Sequence, residues 1–246
     1  MENAQLIGVA TQTALRSQLG IVANNIANMN TNGFKAQNVR FEEYLMPVAE
    51  ASLFKGNRDQ TLSFVHDAES VRDFRPGAHQ QTDAPLDVAI NGSGWFTVET
   101  DQGVRYTRDG SFQLNTDGEL ITQHGDRVLS DGAPITFTSE DTEIEIARNG
   151  TITSTQGTRG RLTAVVFENE SLLRPVGVNL YDGPDARPSE NPVFLQGILE
   201  KSNTESVTEI TKLIDVTRTY ESVSKMIKQL DDLRETAIRR LGRTEA

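Results

Sequence analysis

The sequence predicts an α+β protein: long N- and C-terminal helices that pair as a coiled coil, with an antiparallel all-β domain inserted between them. Three observations carry this reading. Near the C-terminus, Leu213, Val216, Tyr220, Val223, Ile227, Leu230, Ala237 and Leu241 recur at alternating steps of three and four, broken only by Arg234. Near the N-terminus, Leu15, Leu19, Val22, Ile26 and Met29 do the same. Between them, from about Asp83, the apolar period falls to two and Gly-containing turns appear at short intervals. A 3.5-residue repeat marks a helix packed lengthwise against another helix, whereas a period of two marks a strand with one face buried.

The first element is a helix of about thirty residues, with Ile7, Ala14 and Ile21 as a second heptad row and no Pro before Pro47. Its pattern ends in Asn24-Asn25-Ile26-Ala27-Asn28-Met29-Asn30-Thr31-Asn32-Gly33. Asn side chains compete for backbone hydrogen bonds, and Asn-Gly suits a left-handed cap, so the helix is expected to stop there with Phe34 as an apolar anchor. Residues 36–80 read as an extended connector with short elements. Val39, Phe41, Tyr44, Leu45 and Val48 fit a short helix, and Leu62, Phe64 and Val65 a short strand.

The third region, residues 81–199, reads as the β domain. Leu86, Val88 and Ile90 alternate with Asp87, Ala89 and Asn91, and Trp95 to Glu99 follows a turn at Asn91–Gly94. Turns at Asp101–Gly103, Asp109-Gly110, Asp117-Gly118, Gly125-Asp126, Asp131-Gly132 and Asn149-Gly150 punctuate the strands that follow. Phe112, Leu114, Leu120, Ile121, Val128, Leu129, Ile135 and Phe137 supply a core face, and Leu162 to Phe167 reads as a strand buried on both faces. The last region, 200–246, is the C-terminal helix. Ser206-Val207-Thr208-Glu209 resembles a capping box, and Gly242 is a stop signal. Residues 1–35 and 200–246 would then form the two halves of one coiled-coil domain. An amphipathic helix lying on a globular core is the alternative reading of the C-terminal pattern alone.

Charge is unevenly spread over the 246 residues. The net charge is −11, yet residues 1–40 carry +2 and residues 204–246 carry zero, which leaves −13 for the middle. An acidic middle argues against a nucleic-acid surface, and near-neutral ends associate without strong repulsion. No run of eighteen apolar residues predicts membrane insertion, and no basic stretch followed by an apolar core marks a cleaved signal peptide. There is no Cys, and His66, His79 and His124 are scattered, so neither a disulfide nor a metal site is expected.

No catalytic constellation emerges, and no cofactor or small-molecule substrate is expected. Gly92-Ser93-Gly94 precedes a strand instead of a helix, so it reads as a turn and not as a phosphate loop. Glu140, Asp141, Glu143 and Glu145 read as the solvated face of an edge strand. Asp87 and Asp109 are the only pair resembling two glycosidase carboxylates, and Asp109 is committed to its turn. A wall-acting enzyme or a carbohydrate-binding β module are the competing classes. The single Trp95 lies in an apparent core strand, and neither class explains the helices.

The residues carry a resemblance. Asn24-Asn25-Ile26-Ala27-Asn28-Met29-Asn30-Thr31-Asn32-Gly33-Phe34-Lys35 is similar to the N-terminal signature of bacterial flagellar rod, hook and hook-associated proteins. Pro85 to Gly92, then Gly94, Phe96, Val98, Gly103, Tyr106-Thr107-Arg108, Gly110, Phe112, Gly118 and Leu120, resemble the central motif of the rod and hook branch. Leu199-Glu200, Ser202-Asn203, Leu213-Ile214, Arg218 and Tyr220-Glu221 resemble its C-terminal motif. The motif residues singled out are Asn24, Asn25, Asn28, Thr31, Gly33, Phe34, Leu86, Asp87, Asn91, Gly92, Ser202, Asn203, Arg218 and Glu221. The seam residues are Leu15, Leu19, Val22, Ile26, Met29, Leu213, Val216, Tyr220, Val223, Ile227 and Leu230.

The length and layout resemble the proximal-rod branch, with the distal-rod branch as the alternative; the hook proteins are usually longer. The resemblance implies a structural subunit of the basal-body rod in the periplasmic space. It implies export through the flagellar type III apparatus without a cleaved signal peptide. The implied partners are other rod proteins and further copies of the chain, joined through the terminal helices.

Overall fold

The computed structural model describes the backbone of residues 2–47 and 61–241 and the side chains of residues 7–40 and 70–240. The chain forms two compact units. One comprises residues 1–27, 37–71 and 205–246; the other comprises residues 28–36 and 72–204.

The first unit is built on α1 (Glu2–Ala27) and α2 (Ser206–Leu241). The helices lie against each other and run in opposite directions. Gln12 Nε2 donates to Ser224 Oγ at 3.1 Å, and Asn25 Nδ2 to Glu209 Oε2 at 3.1 Å, so α2 recedes as α1 advances. Neither Gly nor Pro interrupts α2, which at about 1.5 Å per residue is roughly 54 Å long. Exposed Thr211, Thr217, Thr219 and Thr236 return their hydroxyls to the carbonyl four residues back, so they add no unpaired polar group.

Three details differ from the sequence reading. Helix α1 stops at Ala27, several residues before Asn32-Gly33. Asn25 and Asn28 turn their amides to nearby backbone and side-chain groups, and Thr31 N–H donates to the Asn28 carbonyl at 3.1 Å, which closes a turn in place of another helical turn. Met29 therefore lies beyond α1 and not on its seam. At the start of α2 the capping box does not form in the expected way. The cap position falls on Glu205, whose carboxylate accepts from Thr208 Oγ1 at 2.8 Å, while Glu209 is engaged by Asn25 and Lys212. Gly242 and Val48 lie outside the described residues.

Residues 37–72 hold longer elements than the connector read from sequence, although the strand expected over Leu62, Phe64 and Val65 lies within the second of them. Strands β1 (Gln37–Pro47) and β2 (Thr61–Arg72) pair in a two-stranded sheet within the helical unit. The expected short helix over Val39–Leu45 is a strand. Val39 and Phe41 alternate with Arg40, and β-branched and aromatic residues take an extended form once a partner strand is present.

The second unit is the β domain. After β3 (His79–Gln81) and β4 (Val88–Asn91), its main sheet begins with β5 (Phe96–Thr100) and β6 (Gly103–Thr107). It continues with β7 (Phe112–Leu114), β8 (Leu120–Thr122) and β9 (Arg127–Ser130). Antiparallel pairing runs in the order β6, β5, β9, β8, β7, and the strand Tyr181–Asp182 extends the β6 edge. Some hairpins turn at Asp117-Gly118, Asp131-Gly132 and Asn149-Gly150, whereas β5–β6 turns at Asp101-Gln102 and β8–β9 at Gln123–Asp126. Late strands return to early ones: Val193–Gln196 pairs with β4, and Ile198–Glu200 with β3.

Two apolar clusters fill this unit. One holds Val88, Ile90, Phe96, Val98, Phe112, Leu120, Val128, Ile135, Phe137, Ile146, Ile152, Leu162, Ala164 and Phe194. The other holds Trp95, Leu173 and Tyr181, with Phe74, Tyr106, Val165 and Phe167 packed against it. The segment Leu162–Phe167 serves both clusters, since Leu162 and Ala164 enter the first and Val165 and Phe167 the second. It is not one continuous strand; only Val165–Val166 is regular, paired with Arg187–Pro188. Leu114, read as core, is 38 % exposed, because β7 ends at the surface there.

Candidate assembly site

The helical unit offers an apolar seam with little else on it. On α2, Val216 is buried, and Leu213, Tyr220, Val223, Ile227 and Leu230 are partly covered, as is Arg234. The positions between them are exposed, except Ser224, which is partly covered and accepts from Gln12. From Glu235 to Arg240 every side chain is exposed. On α1, Ala14, Val22 and Asn25 are buried, while Leu15, Leu19 and Ile26 are partly covered. A Cβ on Gly8 would sit 3.0 Å from Ile227 Cγ1, so the helices approach closely at that level. The pair still leaves apolar side chains in the open: Val9, Val207, Ile210, Ile214, Met226, Leu233 and Ile238 are each at least 46 % exposed.

The motif residues assemble a second feature, in the β unit. Residues 28–36 form a loop that lies against residues 72–78 and 198–204. Gly33 N–H donates to the Glu200 carbonyl at 2.7 Å, Asn203 N–H to Phe34 O at 3.3 Å, and Asp73 N–H to Ala36 O at 2.8 Å. Asn203 bridges all three segments. Its Oδ1 accepts from Ala36 N at 2.7 Å, and its Nδ2 donates to the carbonyls of Asp73 (2.7 Å) and Arg75 (3.0 Å). Gly33 adopts φ +66°, and a Cβ there would lie 2.5 Å from the Arg108 carbonyl carbon and the Asp109 nitrogen, so only glycine fits. Phe34 is buried beside it, and the Arg72 guanidinium lies over the Phe34 and Tyr181 rings at 5.9 and 5.5 Å.

At the centre of this junction are three buried charges. Lys35 Nζ donates to Glu200 Oε1 at 2.6 Å and to the Arg75 carbonyl at 3.0 Å. Arg108 Nη1 reaches Glu200 Oε2 at 3.3 Å and the Gly92 carbonyl at 3.0 Å. Gly77 N–H adds a third donor to Glu200, at 3.1 Å. All three side chains are at most 3 % exposed. Burial pulls the Lys35 ammonium below the usual lysine value, with the Glu200 carboxylate opposing it, and burial likewise lowers Arg108. The Glu200 carboxylate is held by two cations and a backbone N–H, while Arg108 Nε is buried without a hydrogen-bond partner, and removal of one member exposes the rest to the full cost of desolvation.

The remaining motif residues are dispersed. Leu86 packs on the first cluster, and the Asp87 carbonyl accepts from Gly197 N–H at 2.8 Å. Asn91 pairs with Val193 at an exposed strand end. Ser202 is buried, with its Oγ accepting from Thr204 N at 3.1 Å. Asn28 Oδ1 accepts from Thr31 Oγ1 at 3.2 Å. Asn24, Arg218 and Glu221 lie on exposed helix faces. Sequence reasoning singled out Ser202 and Asn203 but not Lys35, Arg108 or Glu200 as a group. Each of the three sits in a quoted motif, yet Lys35 and Glu200 are 165 positions apart and no local pattern pairs them.

Other chemistry finds no support in the geometry. Trp95 is fully buried, its Nε1 donates to Glu170 Oε1 at 3.1 Å, and Arg108 lies 5.4 Å over its ring, so it offers no sugar platform. Burial pushes the Asp109 carboxyl up, against hydrogen bonds from Ser111 N (3.0 Å) and Oγ (2.5 Å), with Asp87 adding to the rise. Those bonds hold Asp109 in its turn. A cavity of about 450 Å³ is lined by Glu99, Asp101, Glu119, His124, Asp126 and Arg127. Of its carboxylates, Glu99 and Glu119 are engaged by Arg127 and Asp126 by Thr122. Among the described residues no group of three or more His, Asp or Glu is placed to hold a metal, and no helix is long and apolar enough to cross a membrane. Asp141 is not a solvated edge charge. Burial alone would raise its carboxyl, but Ser154, Thr138 and Arg159 donate to it and hold it well below the usual range.

Three family descriptions match the chain. The flagellar basal body rod protein model covers residues 6–35, the flagellar hook protein FlgE/F/G D1 domain covers residues 89–154, and the flagellar basal body rod FlgEFG protein C-terminal region covers residues 195–240. The chain is 39 % identical to the flagellar basal-body rod protein FlgF of Caulobacter vibrioides, over 99 % of each chain. It is 32 % identical to FlgF of Rhizobium meliloti over 98 % of this chain and 99 % of that one. It is 34 % identical to the rod protein FlgG of Buchnera aphidicola, over 91 % of this chain and 95 % of that one.

Proposed function

Because the chain belongs to the flagellar basal-body rod proteins, as a structural subunit and not an enzyme, we propose that it is the FlgF-type subunit of the proximal rod. The observation that carries the FlgF reading is end-to-end agreement: 99 % of both chains align with the Caulobacter FlgF, whereas the FlgG match covers 91 % of this chain. The distal-rod, FlgG-type reading is the second choice, supported by identity of 34 %.

In this reading α1 and α2 pair as a coiled coil through Leu15, Leu19, Val22 and Ile26 on one side and Leu213, Val216, Tyr220, Val223, Ile227 and Leu230 on the other. The apolar side chains left exposed on the pair meet copies of the chain and other rod proteins. Contacts of this head-to-tail kind that do not close a ring generate a helical tube. Torque then passes through many modest apolar contacts. The subunit reaches the periplasmic space through the flagellar type III apparatus, without a cleaved signal peptide.

The test is complementation in a flagellated bacterium lacking its FlgF. The chain restores swimming and is recovered in purified basal bodies. Ile227→Asp, which places a charge on the seam beside Gly8, is absent from basal bodies while Trp95 fluorescence reports an intact β unit. Recovery of Ile227→Asp in rods would refute the seam. Rescue of a strain lacking FlgG, but not of one lacking FlgF, would move the subunit to the distal rod.

A further inference from the structure

Among the described residues the helical unit contains one fully buried polar pair, since the other polar bond between the helices, Gln12–Ser224, is only partly buried. Asn25 is 1 % exposed and Glu209 5 %, beside Val22 and Ile26 on α1 and Leu213 and Val216 on α2. Asn25 Nδ2 donates both to Glu209 Oε2 at 3.1 Å and to the Gln37 carbonyl at 2.8 Å, and its Oδ1 accepts from Gln37 N at 2.9 Å. The other Glu209 oxygen accepts from Lys212 Nζ at 2.6 Å. We propose that the Asn25–Glu209 pair fixes the register of α1 against α2.

The need for such a device follows from the seam itself. A seam that repeats every seven residues is nearly matched again after a slide of one heptad, about 10.5 Å. The apolar rows 15, 19, 22, 26 and 213, 216, 220, 223, 227, 230 discriminate less sharply between these positions, because Leu, Val and Ile of similar size recur along both, with Tyr220 and the close Gly8–Ile227 approach as the exceptions. The polar pair does discriminate. A slide in one direction sets the Asn25 amide against Val216, and a slide in the other carries it past the start of α2. Either way a buried amide and a buried carboxylate lose each other, which costs more than the exchange of one apolar contact for another. A buried polar pair therefore selects a single register even where it adds little net stability. The two bonds from Asn25 to Gln37 tie that register to the first residue of β1. The inference concerns the folded subunit and does not rest on its place in the rod.

The chain has no cysteine, which gives a clean background for disulfide trapping in the full-length protein. Gln12→Cys combined with Ser224→Cys reports the observed register, since those side chains meet at 3.1 Å. Gln12→Cys combined with Thr217→Cys or Asp231→Cys reports slides of one heptad. With Asn25 and Glu209 intact, the first combination is expected to cross-link at least about tenfold faster than the other two. With Asn25→Leu and Glu209→Leu together, helical circular dichroism is retained and the three combinations come within about threefold of one another. Glu209→Leu alone, which leaves the Asn25–Gln37 bonds in place, gives the same loosening. Cross-linking that stays confined to the 12/224 combination in both leucine variants overturns the proposal. Equal cross-linking of all combinations in the parent also overturns it. Loss of the helical signal in the double leucine variant does so too, because the pair would then be a determinant of folding and not of register.

Discussion

The β unit and the helical unit handle polarity in opposite ways. The β unit buries three charges, Lys35, Arg108 and Glu200, and pairs both cations with the one carboxylate. Among its described residues the helical unit fully buries a single polar pair and leaves apolar side chains outside, with Val207 77 % exposed, Ile238 71 % and Leu233 63 %. Buried charges paired with one another beside two apolar clusters describe a unit held together largely from within. An apolar surface left open describes one whose burial is completed by something else. The family's three sequence motifs split along the same line. The helical ends of the first and third motifs carry the open seam, whereas Gly33, Phe34 and Lys35, with Arg108, Glu200 and Asn203, close the β unit.

Glu200→Ala breaks the comparison at its strongest point. It leaves two buried cations facing each other without their carboxylate, and the β unit is expected to lose about 3–5 kcal/mol. Urea unfolding followed by Trp95 fluorescence measures this, since Trp95 is the single tryptophan and is packed in this unit. Helical circular dichroism of α1 and α2 need not fall in parallel. A loss below about 1 kcal/mol would mean that the triad is ordinary surface-like pairing despite its burial.

A smaller effect, with a pH signature, belongs to Asp141. Its hydrogen bonds depress the folded carboxyl below the unfolded value of 3.8, so its contribution to stability is complete above that value and is lost as pH falls through the folded one. Asp141→Asn is therefore expected to be less stable than the parent at pH 7, and the gap between them to narrow below about pH 4. Paired thermal unfolding curves at pH 7 and pH 3 check the sign. A gap that widens on acidification would show that the donors from Ser154, Thr138 and Arg159 favour the neutral acid.

How much of this was legible depends on the range of the interaction. The helices come from a local repeat, and part of the hairpins from Asp-Gly and Asn-Gly pairs, so α2 and much of the β unit are legible directly. Strand β1 is not legible locally, because Val39, Phe41, Tyr44 and Leu45 fit both periods and its partner β2 decides between them. Helix α1 ran too long in the reading because the apolar repeat continues to Met29, while the Asn amides that end it act through particular hydrogen bonds. The charged triad was invisible as a group. Glu140, Asp141, Glu143 and Glu145 looked alike in sequence, and only the turn geometry around Thr138, Ser154 and Arg159 sets Asp141 apart.

The smallest effect on the isolated subunit tests the other half of the comparison. Val207, Ile210 and Ile214 recur at helical spacing on α2 and are exposed at 77, 46 and 46 %. If their burial is completed by neighbours in the rod, Ile214→Ser changes the stability of the purified subunit by no more than about 0.5 kcal/mol. The same substitution should lower its recovery in basal bodies when it competes with the parent protein. The separation between those two readouts is the point. A seam residue such as Val22 contributes to both, because it packs inside the subunit. A residue whose apolar surface waits for a neighbour contributes to the second alone. Equal incorporation of Ile214→Ser and parent would mean that this face of α2 stays in solvent in the rod, and that the contacts between subunits are made elsewhere on the helices.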